Sequence, residues 1–130
     1  MNEIEDKKRK YDLEEWLINF AVMIIELIEH LPSTKSANHL AGQLLRSGTS
    51  PALNYGEAQS RESPNDFIHK IKVVLKELRE TLVCLKIVYR TRLYSSEEKM
   101  KVVMKEADEL VAIFVTSVKT AETNRIGKRK

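Results

Sequence analysis

Apolar residues recur along this chain at intervals of three and four in four blocks, separated by proline, serine or short polar turns. From Asp12, the positions Leu13, Trp16, Leu17, Phe20, Ile24, Leu27, Ile28 and Leu31 form one stripe, the repeat of an amphipathic helix. Ile18, Val22 and Ile25 add apolar surface off that stripe. A helix greasy on more than one side is expected to be buried on two sides, as in a bundle that also oligomerises. Leu31-Pro32 closes it, since the residue before proline disfavours α geometry. A polar turn follows, and a second helix is expected to run over 36–61. Pro51 sits inside it. Proline lacks the amide a continuous helix uses and crowds the preceding turn. Either the helix kinks there, with Gly48 relieving the crowding, or it stops and Ser50 caps a new one.

Ser63-Pro64-Asn65-Asp66 is a helix start: a capping serine, proline at the first position and an acid three residues after the cap. Phe67, Ile71, Val74, Leu75, Leu78, Leu82, Leu85 and Tyr89 then mark a third helix over 64–93. Ser95-Ser96-Glu97-Glu98 repeats the start signal. The fourth helix, 96–123, carries Met100, Val103, Met104, Ala107, Leu110, Val111, Phe114 and Val118. There is no strand alternation and no internal repeat. The expected fold is all-α: an up-down-up-down antiparallel four-helix bundle over 11–123, built from helices at 12–31, 36–61, 64–93 and 96–123. Residues 1–10 are expected to be a flexible charged N-terminus, and 124–130 a basic C-terminal tail. In that topology Lys7-Lys8-Arg9-Lys10 lies close to Arg125, Lys128, Arg129 and Lys130.

Composition agrees with one domain: 130 residues, 42% hydrophobic and 32% charged, with four glycines and three prolines. No apolar run approaches the ~20 residues a bilayer span needs, and with a charged N-terminus no secretory signal is expected. Cys84 is the only cysteine. It has no internal disulfide partner, fits a reducing compartment and reads as a small core residue. A cytoplasmic protein without a membrane partner is expected.

Charge is uneven along the chain. Residues 11–34 hold Asp12, Glu14, Glu15, Glu26 and Glu29 and no Lys or Arg. On the third helix, Lys72, Lys76, Arg79, Lys86 and Arg90 fall within about 80° of each other, away from the apolar stripe. The row spans about 27 Å at 1.5 Å per residue, enough to meet several backbone phosphates. The fourth helix is followed by Arg125, Lys128, Arg129 and Lys130. These nine bases are the candidate nucleic-acid contacts, to RNA or DNA, with little sequence readout because no aromatic side chains interleave them. An ordinary solvated face is a second reading of the row. A basic surface meeting the acidic first helix of a neighbouring subunit is a third.

No catalytic constellation is present. The chain lacks a phosphate-cradling glycine loop, an HExxH motif and a cysteine cluster. His30, His39 and His69 stand on different predicted helices, and no Glu-x-x-His occurs. The chain is expected to be no enzyme and to hold no cofactor or metal.

One stretch is polar where its neighbours are apolar. Arg46, Ser50, Asn54 and Glu57 fall within about 80° on a helical wheel, offering a cation, a hydroxyl, an amide and a carboxylate in line. A solvated face and a polar network between helices or subunits both fit this spacing. The set, together with Arg46-Ser47, the Asp66-Phe67 pair opening the third helix and Glu80 within it, resembles the small four-helix-bundle family encoded in intervening sequences of bacterial 23S rRNA genes. The combination carries the resemblance, over about Phe20 to Val88. Pro51 departs from it, standing where relatives more often have a branched aliphatic residue. The resemblance implies a four-helix bundle without known enzymatic activity, assembled as a homo-oligomer, in some members a barrel-like pentamer. It also implies that Arg46, Ser50, Asn54, Glu57 and Glu80 are a family feature; a structural role is expected, with Arg46 pairing Glu57 or Glu80. A more distant likeness is to the accessory protein of diversity-generating retroelements, which is linked to nucleic acid and a reverse transcriptase.

Overall fold

The structure, a computed structural model, describes residues 12–60 and 63–129. The expected charged segment at 1–10, with Lys7 to Lys10, lies outside the described residues. Among the described residues there are four helices: α1 (Leu13–Glu29), α2 (Lys35–Gln59), α3 (Pro64–Arg90) and α4 (Glu97–Arg129). They pack as α1 on α2, α2 on α3 and α3 on α4, with a thinner contact from α1 to α4. Among the described residues α1 does not pack on α3, so these two stand across the bundle from each other.

The starts follow from local chemistry. The Thr34 hydroxyl accepts from the Ala37 amide at 3.2 Å, and the Ser63 hydroxyl accepts from the Asp66 amide at 3.2 Å. Ser96 does the same for Lys99 at 3.2 Å. Each serves an amide that has no partner within its own helix.

α1 and α2 end two residues before the expected 31 and 61, and the ends of α3 and α4 differ more. α3 stops at Arg90 rather than 93. The Leu93 amide donates to the Val88 carbonyl at 3.2 Å and the Arg92 amide to the Tyr89 carbonyl at 3.2 Å, with Arg92 at φ 56°. This is a Schellman stop with arginine in the left-handed position that glycine usually takes. α4 runs to Arg129, so the expected tail from 124 is helical through that residue. Contacts from α3 reach its last turns: Lys72 pairs with Glu122 at 2.6 Å, and Arg125 donates to Asn65 at 3.2 Å.

α2 is one unbroken helix through Pro51. Ser47, Gly48 and Pro51 are buried, so packing holds the helix on both sides of the lost hydrogen bond. The core forms from Leu17, Phe20, Ile24, Leu44, Ile71, Leu78, Leu85, Leu110 and Phe114, all fully buried. Each such side chain contributes about 1.5–3 kcal/mol on leaving water. Tyr55 meets the edge of Phe114, with ring centroids 5.6 Å apart at 83°.

Gly48 sets how closely α1 and α2 approach. A Cβ there would lie 2.8 Å from Ile24 Cγ2 and 2.9 Å from Cγ1. Ile24 is fully buried, so it has no room to yield. Gly42, on the same helix, has open space at its Cβ position. Gly48→Ala is therefore expected to lower stability by about 1–3 kcal/mol from overpacking, and Gly42→Ala to raise it by up to about 1 kcal/mol from helix propensity. Paired thermal melts check both signs; equal shifts for the two variants would contradict the close approach.

Candidate functional site

The sequence motif divides into three separate pieces. Arg46 reaches across to α3, donating from Nη1 to Glu77 Oε2 at 2.9 Å and from Nη2 to Glu80 Oε2 at 2.8 Å. Asn54 stays on its own helix and donates to Ser50 Oγ at 2.8 Å and the Ser50 carbonyl at 3.0 Å. Glu57 pairs with Lys70 of α3. Arg46 therefore pairs with Glu80, not with Glu57. The partners Glu77 and Lys70 were outside the sequence motif.

The clasp works through unequal burial. Glu77 is nearly buried, while the Arg46 side chain remains half exposed. A carboxylate withdrawn from water is costly unless a cation and hydrogen bonds replace its hydration. The guanidinium fork supplies both, bridging two carboxylates one helical turn apart. Its hydrogen bond holds the Glu80 carboxyl below the ordinary value of 4.5.

Directly beneath lies a buried hydroxyl pair. Thr81 Oγ1 and Ser47 Oγ are 2.9 Å apart; Thr81 Oγ1 is 2.8 Å from the Glu77 carbonyl, and Ser47 Oγ is 2.9 Å from the Gln43 carbonyl. Two protons serve three contacts, so two are made at any instant. Cys84 follows one turn on, buried, with Sγ 3.8 Å from the Leu40 carbonyl and a thiol pushed up by that burial. Nothing here aligns a nucleophile with a base. Among the described residues no group of three or more His, Cys, Asp or Glu comes together to hold a metal. His30, His39 and His69 are exposed.

The nine candidate bases separate as well. Lys72 is paired with Glu122 and Arg125 with Asn65. Lys76, Arg79, Lys86 and Arg90 are exposed and make no ion pair within the described residues. Lys128 and Arg129 lie on the last turn of α4, and Lys130 lies outside the described residues. Val83 and Ile87 stand exposed among the α3 bases. The face is thus a mixture of cations and bare aliphatic groups, about 150° round the helix from its buried side.

A second surface lies along the α1–α2 seam. Ile18, Val22 and Ile25 are exposed about 150° from the buried side of α1. On α2, Leu45 and Leu53 are exposed. Ile24 against Gly48 and Glu14 beside Gly56 fix the register, which brings Ile18 level with Leu53 and Ile25 close to the level of Leu45. Five aliphatic side chains therefore share one outer face, rimmed by Glu15, Glu26 and Glu29 of α1. No helix among the described residues is long and apolar enough to cross a membrane.

Four packed helices, the second and third clasped by Arg46 with Glu77 and Glu80, make this a small all-α helical-bundle protein. The sequence model for the 23S rRNA-intervening sequence protein matches residues 9–116, and the chain belongs to that family. It is similar to a solved structure from Bacteroides thetaiotaomicron VPI-5482, a protein with unknown function from the S23 ribosomal protein family. That likeness has 31% identity and a TM-score of 0.75, and covers 82% of this chain and 97% of the other. No curated protein matches.

The clasp has a pH signature. A depressed carboxyl pKa stabilises the fold above the unfolded value and loses that contribution as pH falls through the lowered one. Arg46→Met is expected to melt below the wild type at pH 7, and the gap is expected to narrow as pH falls below 4.5, the ordinary value from which Glu80 departs. Melting curves at stepped pH check this; a gap constant down to pH 3 would show that Arg46 acts through packing alone.

Proposed function

We propose that this protein is a non-enzymatic, up-down-up-down helical bundle that assembles with copies of itself in the cytoplasm. The helix pairings support the topology: Leu40 meets Cys84 while Glu57 meets Lys70, and Tyr89 meets Glu97 while Asn65 meets Arg125. The observation that carries self-assembly is the apolar face on the α1–α2 seam. Five exposed aliphatic side chains on one face of a chain with one modest core are a surface that calls for cover. The barrel-like pentamer implied by the family resemblance is one closed form of such an assembly. Replacing Ile18, Val22 and Ile25 with serine is expected to reduce the particle to the 15.0 kDa monomer, with little change in the melting temperature of the bundle. Light scattering after size exclusion reads the mass, and an unchanged mass would refute this role for the seam.

A second reading is nucleic-acid binding, favoured by the four unpaired bases on α3. Contacts of this kind hold the sugar-phosphate backbone and read little sequence. Four phosphate contacts would weaken affinity about a hundredfold between 50 and 200 mM salt. Changing Lys76, Arg79, Lys86 and Arg90 to glutamate is expected to abolish low-salt binding of generic RNA and duplex DNA, measured by fluorescence anisotropy. Unchanged affinity would remove this reading. A reverse transcriptase as partner rests only on the distant retroelement likeness.

A further inference from the structure

The α1–α2 seam and the α3 face are unlike surfaces of matching design. The first has an aliphatic centre, Ile18, Val22 and Ile25, between Glu15 and Glu29. The second has an aliphatic centre, Val83 and Ile87, between Arg79 and Arg90, with Lys86 beside it. Glu15 to Glu29 spans about 21 Å and Arg79 to Arg90 about 16 Å along their axes, so the second fits within the length of the first. We infer that the α1–α2 seam of one copy seats the outer face of α3 of a second copy, aliphatic centre on aliphatic centre and acids on bases. This rests on the self-assembly proposed above and names its contact.

Charge selects this pairing over the alternatives. Two seams face to face would bring Glu15, Glu26 and Glu29 of both copies together, with no Lys or Arg on α1 to offset them. Two α3 faces would oppose Arg79, Lys86 and Arg90 in the same way. The remaining exposed aliphatics, Val102 and Ile126, lie 24 residues apart on α4, about 36 Å, and form no patch. Opposed potentials fix partner and register, while burial of the aliphatic centres supplies the attraction.

The position of the two surfaces sets the symmetry. α1 and α3 stand across the bundle, so a copy receives a neighbour on one side and offers itself on the other. Such a contact is head-to-tail, and its repeats close into a ring or continue as a filament. Arg79, Lys86 and Arg90 would be counterions of the neighbour in that assembly. Lys76, nearer the start of α3, lies beyond the aliphatic centre and would stay free.

Charge-reversed variants test the pairing, since all the residues changed are exposed. One variant carries Glu15→Lys and Glu29→Lys; the other carries Arg79→Glu, Lys86→Glu and Arg90→Glu. Each alone is expected to fall to the monomer mass. Mixed in equal amounts, or combined in one chain, they are expected to regain assembly, because each reversed face then meets an opposite one. If the wild type assembles and either variant still does so alone, the contact lies elsewhere and this inference fails while self-assembly stands. If both variants fall apart and neither the mixture nor the combined chain recovers, the α1-to-α3 pairing is overturned. A wild type that is monomeric at every concentration overturns self-assembly itself, and the pairing with it.

Discussion

A nearly buried carboxylate, Glu77, constrains the middle of this fold more than any other single group. Left without a partner it would cost more than a hydrogen bond returns. Arg46 is the cation that reaches it, and that reach fixes the register between α2 and α3. With the register set, Thr81 meets Ser47, Cys84 meets Leu40 and Lys70 meets Glu57. The other helices attach to this pair: α1 settles on Gly48 through Ile24, and α4 lays Phe114 against Tyr55. Within the motif, Arg46 with Glu80 and Glu57 with Lys70 tie α2 to α3, while Asn54 and Ser50 bond along their own helix.

The outer surface follows from the inner one. Because α2 turns its small residues inward at Ser47 and Gly48, Leu45 and Leu53 face outward beside the aliphatic residues of α1. The same geometry on α3 places Glu77 and Thr81 inward and leaves Val83 and Ile87 out among cations. Two amphiphilic surfaces of opposite charge arise on helices that stand across the bundle. A purely ionic face would suit phosphate as well as an acidic protein surface. Aliphatic groups embedded in it favour a protein surface as the occupant, which is why assembly ranks above nucleic acid here.

Much of the helix framework could be read from residue order alone. The Ser63-Pro64 start, the four apolar stripes and the outward Ile18, Val22 and Ile25 all follow from spacing. What stayed hidden depended on contacts between helices. The Arg46 partner Glu77 is one acid between Lys76 and Arg79 in the sequence, and only the packing of α2 on α3 shows it turned inward. Lys72 read as a free base until α4 proved long enough to bring Glu122 to it. That length was itself obscured, since the sequence after Thr116 thins in large apolar residues and is held partly by polar ties. Arg92 took a glycine's role without a glycine's signature, so α3 was expected to run three residues further. Pro51 advertised a break that packing on both sides overrides.

The thin α1–α4 contact leaves the bundle one loosely packed edge. Three of its four seams are well packed; the fourth holds a cleft of about 440 Å³ beside Met23, Leu27, Tyr94 and Val103. Farther along the same edge, the Trp16 indole donates to the Glu106 carboxylate. Fluctuations of a packed body concentrate where the fewest apolar contacts must be given up. The bundle is thus less a closed cylinder than a book whose spine is the α2–α3 clasp. Along that edge the Trp16 indole ties α1 to α4, and as the only tryptophan of the chain it gives the thin seam its own built-in fluorophore.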